Sequence, residues 1–119
     1  MRAGLTVLEN LKLACRLTGH TADNIPQILK GLRLNEKANT QSQYLSAGQK
    51  RRAALARLLI IPRKIWILDE PFTALDADSQ LFVREQMEGH VRNGGICIFT
   101  SHQPVNLEAP VKHVRLPAC

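Results

Sequence analysis

The sequence predicts an α/β fold in which helices come first and a strand, a helix and a second strand follow. Two short apolar runs, residues 64–69 and 96–100, are typical of buried strands, and a helical pattern separates them. Two such strands joined by a helix imply a parallel crossover unit. The length of 119 residues is that of one modest domain, and the apolar content of 45% excludes a disordered tail.

Two helices are predicted before the polar loop at residues 35–43. Thr6 precedes Glu9 by three residues, which is the pattern of a capping box, and Gly19 is expected to end the helix that follows. Thr21 and Pro26 are expected to open the second helix. Both segments carry apolar residues at helical spacing, so each is expected to bury one face.

A third helix is predicted after a polar loop that spans residues 35–43. Ser46 is its expected cap, and Pro62 ends it after about Ile60. Five basic residues and no acidic residue lie between positions 46 and 63, whereas residues 64–119 carry five basic and seven acidic residues. This uneven charge differs from that of a uniformly basic nucleic-acid binder. The basic block is interpreted either as a solvated helix face or as a contact for phosphate or acidic lipid.

The fourth helix is expected to begin at Asp76 or Asp78 and to run to about His90. The sequence Asn-Gly-Gly at 93–95 then breaks the chain before the second strand, and residues 111–116 are a candidate third strand.

Several classes of protein are disfavoured by composition. The longest apolar run has four residues and stops at Pro62, whereas a spanning helix needs about 20. The stretch before Glu9 lacks the apolar core of a secretory signal. The three cysteines, Cys15, Cys97 and Cys119, are odd in number and widely spaced, which fits a reduced compartment better than a disulfide framework or a zinc site.

Polar side chains collect where the two strands end. Ligands of parallel sheets bind beyond the carboxyl ends of the strands, which puts Asp69, Glu70, Ser101 and His102 on one rim. One carboxylate could hold a hydrated Mg²⁺ while the other reaches an attacking water, as phosphoryl transfer requires. Taken alone, two such acids are more often a charged exit from a strand, and a single loop histidine usually has no function.

The start of the third helix is a second candidate site. Ser46 offers a hydroxyl, Gly48 permits close approach of a ligand to the backbone, and the helix N-terminus offers free N–H groups to an anion. Taken alone, this segment also reads as an ordinary capped helix.

The order of these features is more specific than any one of them. Leu-Ser-Ala-Gly-Gln, a helix, a strand ending Leu-Asp-Glu-Pro, then Ala-Leu-Asp and a strand ending Thr-Ser-His resemble the ATP-binding-cassette ATPase family. The resemblance implies a partial P-loop NTPase fold, with residues 1–45 as a helical subdomain portion and residues 46–119 as part of the ATPase core. It also implies ATP and Mg²⁺ as cofactors.

Roles for individual residues follow from the same resemblance. The catalytic residues would be Glu70, which orients water, and His102, which senses the γ-phosphate, while Asp69 would hold Mg²⁺. Asp76 would belong to the D-loop that couples two subunits. The signature motif would face the nucleotide of a second ATPase subunit, and it consists of Ser46, Ala47, Gly48 and Gln49.

A narrower resemblance, to the haem-exporter subgroup of the family, rests on Phe72 and on Gln103 with Pro104. It implies haem export for cytochrome c-type biogenesis, with integral membrane transporter subunits as partners. The chain would lie peripherally on the cytoplasmic face of the inner membrane, or at an organellar equivalent. Direct contact with nucleic acid is not expected, although the net charge of +6 leaves open a soluble family member that acts on nucleic acid or ribosomes.

The phosphate-binding string G-x-x-x-x-G-K-S/T does not occur in the 119 residues. The chain is therefore expected to be a fragment, a late-start gene model or a degraded gene. Alone it is expected to hydrolyse ATP negligibly, and a non-catalytic interaction module is the alternative. An exposed apolar edge beside residues 96–100 is also expected, with marginal stability or aggregation as its result.

Overall fold

Helices precede a strand–helix–strand unit in the structure, a computed structural model that describes residues 1–112. This order confirms the predicted α/β arrangement. Two 3₁₀ turns, Asn35–Lys37 and Ser42–Tyr44, lie in the polar loop. The other elements are α1 (Val7–Leu17), α2 (Ile25–Gly31), α3 (Ala47–Ile60), β1 (Ile65–Leu68), α4 (Ala77–Arg92) and β2 (Ile96–Phe99).

The two strands pair in parallel, with Ile65 opposite Ile96 and Leu68 opposite Phe99. Helix α4 connects them as the predicted crossover. Because parallel strands end at the same edge of a sheet, the segments that follow Leu68 and Phe99 lie side by side. This topology positions the candidate site.

Only one face of the sheet is buried, so the prediction of two fully buried strands is wrong. Trp66 and Leu68 point into the core, whereas Ile67 is 70% exposed. On β2, Ile96 and Ile98 are also exposed. These side chains lie on the uncovered face of the sheet, and the expected marginal stability or aggregation stays a prediction. Side chains alternate between the two faces of a strand, and the described helices cover one face.

The core is continuous between the helices and the sheet. It joins side chains of all four helices to Trp66 and Leu68 of β1. Because the core runs across position 45, residues 1–45 pack on the rest of the described chain, and the proposed boundary at that position stays a prediction. The largest fully buried hydrophobic side chains are Leu11, Ile25, Leu32, Leu34, Met87, Val7 and Val83.

The helix starts agree with the sequence at three of four positions. Thr6, Ser46 and Asp76 cap α1, α3 and α4, and Asp76 rather than Asp78 is the cap of α4. The prediction of Thr21 for α2 is wrong, because this helix begins at Ile25 with Pro26 in its first turn. A proline is tolerated only in the first turn of a helix, so it sets where the helix starts.

The candidate third strand and membrane-spanning helices are the remaining features to compare with the structure. Residues 111 and 112 are not in a strand, and the rest of the candidate third strand, residues 113–116, lies outside the described residues. None of the helices within residues 1–112 combines the length and the apolar character that crossing a membrane requires.

Loss of the first cap should weaken the fold measurably. Thr6 Oγ1 accepts from the Glu9 amide at 3.0 Å, and the Thr6 amide donates to Glu9 Oε1 at 2.9 Å. We expect Thr6→Ala to lower the free energy of unfolding by about 1 kcal/mol in urea titrations, because a helix amide loses its acceptor. Thr6→Ser keeps the hydroxyl and should stay near the wild type. An unchanged midpoint for Thr6→Ala would contradict this role.

Candidate active site

Thr100 joins the two strand ends on which the candidate site is built. Its hydroxyl donates to Asp69 Oδ1 at 2.8 Å and accepts from the Glu70 amide at 3.0 Å. One threonine on the β2 side therefore fixes both carboxylate-bearing residues on the β1 side. Sequence reasoning did not assign this role to Thr100, although a hydroxyl at the end of a parallel strand beside two acids is the signal that could have found it.

The Glu70 carboxylate contacts two side chains, one after β2 and one in its own loop. Its Oε1 pairs with His102 Nε2, and its Oε2 accepts from the Thr73 hydroxyl at 3.4 Å. The Glu70 side chain is 25% exposed, whereas His102 is 90% exposed. The predicted pair of Glu70 and His102 is thus brought together, with the histidine on the solvent side.

A cleft of about 580 Å³ opens beside this pair. Glu70 and His102, both of which were predicted site residues, line it. Gln80 and Arg84 of α4 also line it and were missed, since nothing in their spacing relates them to the strand ends. The cleft is lined mostly by polar groups and is open to solvent, so a charged ligand could enter it.

Asp69 is suited to share a magnesium ion with a substrate. Thr100 occupies only one of its carboxylate oxygens, and the side chain is exposed. Within the described part of the chain, no cluster of three or more histidine, cysteine, aspartate or glutamate side chains could hold a metal ion. Mg²⁺ usually takes one or two carboxylates together with waters and substrate phosphates, so a single free oxygen of Asp69 fits this ion.

Residues 46–49 form the second candidate site and lie apart from the cleft. The Ser46 hydroxyl accepts from the Gln49 amide at 3.1 Å, and the Ser46 amide donates to Gln49 Oε1 at 2.9 Å. Ala47 is exposed, and open space surrounds the position that a Cβ on Gly48 would occupy. Neither Ser46 nor its neighbours up to Gln49 lines the cleft that contains Glu70.

Asp76 makes its contacts within the chain. Its carboxylate accepts from the Ser79 amide at 2.9 Å, and it pairs with Arg33 at 2.5 Å. Hydrogen bonds from the hydroxyl and amide of Ser79 lower the pKa of Asp76, and the charges of Arg33 and Arg52 add to this shift. The predicted D-loop aspartate is therefore both a helix cap and a link between the end of α2 and the start of α4.

The lowered pKa of Asp76 predicts how stability depends on pH. The pKa of the Asp76 carboxyl is lower in the folded chain than in the unfolded chain, where it is 3.8. The charged carboxylate therefore stabilises the fold above pH 3.8, and this contribution is lost as the pH falls through the folded-state pKa. We expect Asp76→Asn, which keeps a capping side chain, to be less stable than the wild type at pH 7. The difference in urea unfolding should vanish at the lowest pH.

The pKa of Glu9 is also lowered, but Glu9 is present in both proteins and its effect cancels in that comparison. A difference between wild type and Asp76→Asn that stayed constant from neutral to low pH would contradict the assigned role of the charge.

The two described cysteines are free thiols outside the cleft. Burial raises the pKa of Cys15, and it raises that of Cys97 to about 11. A thiol of this kind is protonated at neutral pH and is a poor nucleophile or metal ligand.

Comparison with known proteins identifies the family of this chain. The family model described as ABC transporter matches residues 1–73. The cytochrome c biogenesis ATP-binding export protein CcmA of Methylococcus capsulatus is 42% identical over 118 residues, which cover 98% of this chain and 57% of that protein. The protein of the same name from Dechloromonas aromatica is 42% identical over 115 residues, with coverages of 94% and 56%.

A solved ATP-binding subunit of an ABC transporter has the same fold. It superposes with a TM-score of 0.76 at 24% identity, over 86% of this chain and 45% of that chain. The chain thus spans about half the length of the curated relatives that it matches. Because the family model covers more than half of these 119 residues, the chain belongs to the ABC transporter family.

Proposed function

We propose that this chain is the part of an ABC transporter ATPase that carries the hydrolytic residues. The observation that supports this most is the arrangement at the strand ends, where Thr100 fixes Asp69 and Glu70 while Glu70 pairs with His102. Phosphoryl transfer needs little covalent chemistry from a protein, but it needs a positioned water and stabilised negative charge.

We assign these tasks to different residues. Glu70 has one oxygen towards His102 and one towards Thr73, so a water at its carboxylate would be oriented from two sides. His102 is exposed and can donate a hydrogen bond to a terminal phosphate that enters the cleft. Asp69 would hold Mg²⁺, which neutralises charge that develops on the phosphates.

Two further assignments involve a second ATPase subunit. Residues 46–49 lie outside the cleft and start a helix with an exposed end, which suits a contact with ATP held by the partner subunit. Asp76 would couple the two sites through the segment between the cleft and α4. Both assignments are supported by placement and family membership.

The transported molecule is proposed from the relatives. Two of them are named as cytochrome c biogenesis export proteins, and Phe72, Gln103 and Pro104 fit the same subgroup. We therefore propose haem export for cytochrome c-type biogenesis, with integral membrane subunits as partners. The chain would lie on the cytoplasmic face of the inner membrane, or at its organellar equivalent.

ATP binding by these residues needs a further part. The 119 residues contain no Gly-rich phosphate loop, whose backbone amides and lysine hold the β- and γ-phosphates. We propose that another segment or subunit supplies this loop and that these residues alone hydrolyse ATP negligibly. A non-catalytic interaction module is the second candidate, and the same missing string favours it.

One chimera tests the ATPase proposal. The part of the Methylococcus relative that lies outside its match to this chain is fused to the chain, and phosphate release is compared with that of the 119 residues alone. We expect magnesium-dependent ATP turnover only in the chimera. Turnover by the 119 residues alone would contradict the need for a supplied loop, and a chimera that binds ATP without hydrolysing it would support the interaction module.

A separate assay tests the cargo. The chimera is expressed in a bacterium that lacks its own CcmA relative, and c-type cytochromes are detected by haem staining. Restored staining, absent with Glu70→Gln, is the expected result. If the chimera hydrolyses ATP in vitro but never restores staining, haem export is wrong while the ATPase proposal stands.

A further inference from the structure

The loop that carries Glu70 has an unusual backbone. Glu70 and Ala74 have φ angles of 45° and 60°, a region that side-chain-bearing residues rarely adopt. Glu70 also precedes Pro71, and a residue before proline favours extended backbone. Two such residues within five positions mark a loop that neighbouring groups must hold in place.

The hydrogen bonds within this loop are weak. Its internal backbone bonds are long, from the Thr73 amide to Glu70 O at 3.2 Å and from the Leu75 amide to Phe72 O at 3.4 Å. A cavity of about 250 Å³ lies between the loop and α3, and it is lined by residues of α3, by the end of β1 and by Pro71, Thr73 and Leu75. Phe72 and Leu75 pack against the core, but side-chain packing leaves this gap between the loop and the helix.

Two arginines of α3 cross this gap. Arg51 Nη2 donates to the carbonyl oxygens of Asp69 at 3.3 Å and Glu70 at 3.1 Å, and Arg52 Nη2 donates to that of Ala74 at 3.3 Å. The arginines thus bind the carbonyl oxygens of both loop residues with positive φ, Glu70 and Ala74. Arg52 Nε is buried and has no hydrogen-bond partner among the described residues, so its placement has a cost.

We propose that Arg51 and Arg52 are positioning residues that hold the loop of residues 70–74 in its strained conformation and thereby aim the Glu70 carboxylate at His102. They lie two and three positions after Gln49 on the same helix, so a ligand that shifts the start of α3 would move the loop through them. This inference rests on the proposed function only in naming Glu70 as the catalytic residue.

Amide hydrogen exchange of the nucleotide-free chain tests the proposal. Arg51→Ala and Arg52→Ala should each speed exchange of the Thr73 and Leu75 amides about tenfold, because hydrogen bonds from charged donors are lost. Lysine at the same position keeps one charged donor and should recover part of the protection. Arg57→Ala, an exposed arginine of the same helix, is the matched control and should change neither rate.

A glycine variant separates strain from general loosening. Ala74→Gly removes the cost of the left-handed conformation, so it should slow loop exchange several-fold and shrink the effect of Arg52→Ala. Exchange of the Leu11 amide in α1 reports global unfolding. If an arginine variant is unfolded by this measure, the exchange rates of Ala74→Gly alone test the proposal. Unchanged loop rates in folded arginine variants, or faster exchange in Ala74→Gly, would overturn the proposal.

Because this assay contains no ATP, its result is independent of hydrolysis. A chimera without turnover could still have the arginine-held loop, and a working ATPase could lack it.

Discussion

Replacing Glu70 with Gln in the ATP-hydrolysing chimera is expected to lower turnover by about 10²- to 10⁴-fold. Glutamine keeps the length of the side chain and can still accept from Thr73, but it cannot take a proton from the attacking water. Binding of ATP should change little, since the phosphates are held elsewhere. Phosphate release at saturating ATP and equilibrium nucleotide binding measure the two effects separately.

The control for this variant is Glu85→Gln, which makes the same chemical change at an exposed position of α4 outside the cleft. Its turnover should equal that of the parent chimera. If Glu70→Gln kept half or more of the turnover, Glu70 would not be the base, and the contact with His102 would be only structural.

Leu11→Ala is expected to lower the free energy of unfolding by about 2–5 kcal/mol. Leu11 is completely buried in the core between the helices and the sheet, so the truncation leaves a cavity. Domains of this size are stable by only about 5–15 kcal/mol, so the variant should be close to unfolded at physiological temperature. Urea titration followed by far-ultraviolet circular dichroism measures the change.

Leu17→Ala is the matched control, because Leu17 ends the same helix and is 74% exposed. We expect its effect to stay within about 0.5 kcal/mol. Equal losses for the two variants would contradict the role of Leu11 in the packed core, because alanine favours a helix at both positions.

Local features of the fold were predictable from sequence. The caps at Thr6 and Ser46 depend on residues three positions apart, and Pro62 ends α3 by its own chemistry. Burial of the strands was not predictable. Ile65 and Ile67 are as apolar as Leu68, but which face is covered depends on where distant helices pack.

The candidate site was predictable as a set of residues but not as a set of contacts. The topology of parallel strands brings residues 69–70 and 100–102 to one edge, and this follows from two apolar runs and a helix. The bridging role of Thr100 and the arginines that hold the loop needed coordinates. Hydrogen bonds between positions 18–31 apart carry no local sequence signal.

The bond from Thr100 to Asp69 spans 31 positions of the chain, and the bond from Glu70 to Thr100 spans 30. During translation, the turns and caps of the helices can begin to form early, since their hydrogen bonds are local, although their full stability needs tertiary packing. The carboxylates stay unplaced until β2 has emerged and closed the long loop. A nascent chain that stops before residue 100 would therefore contain the helices and both acids, but not the threonine that sets the two acids in place.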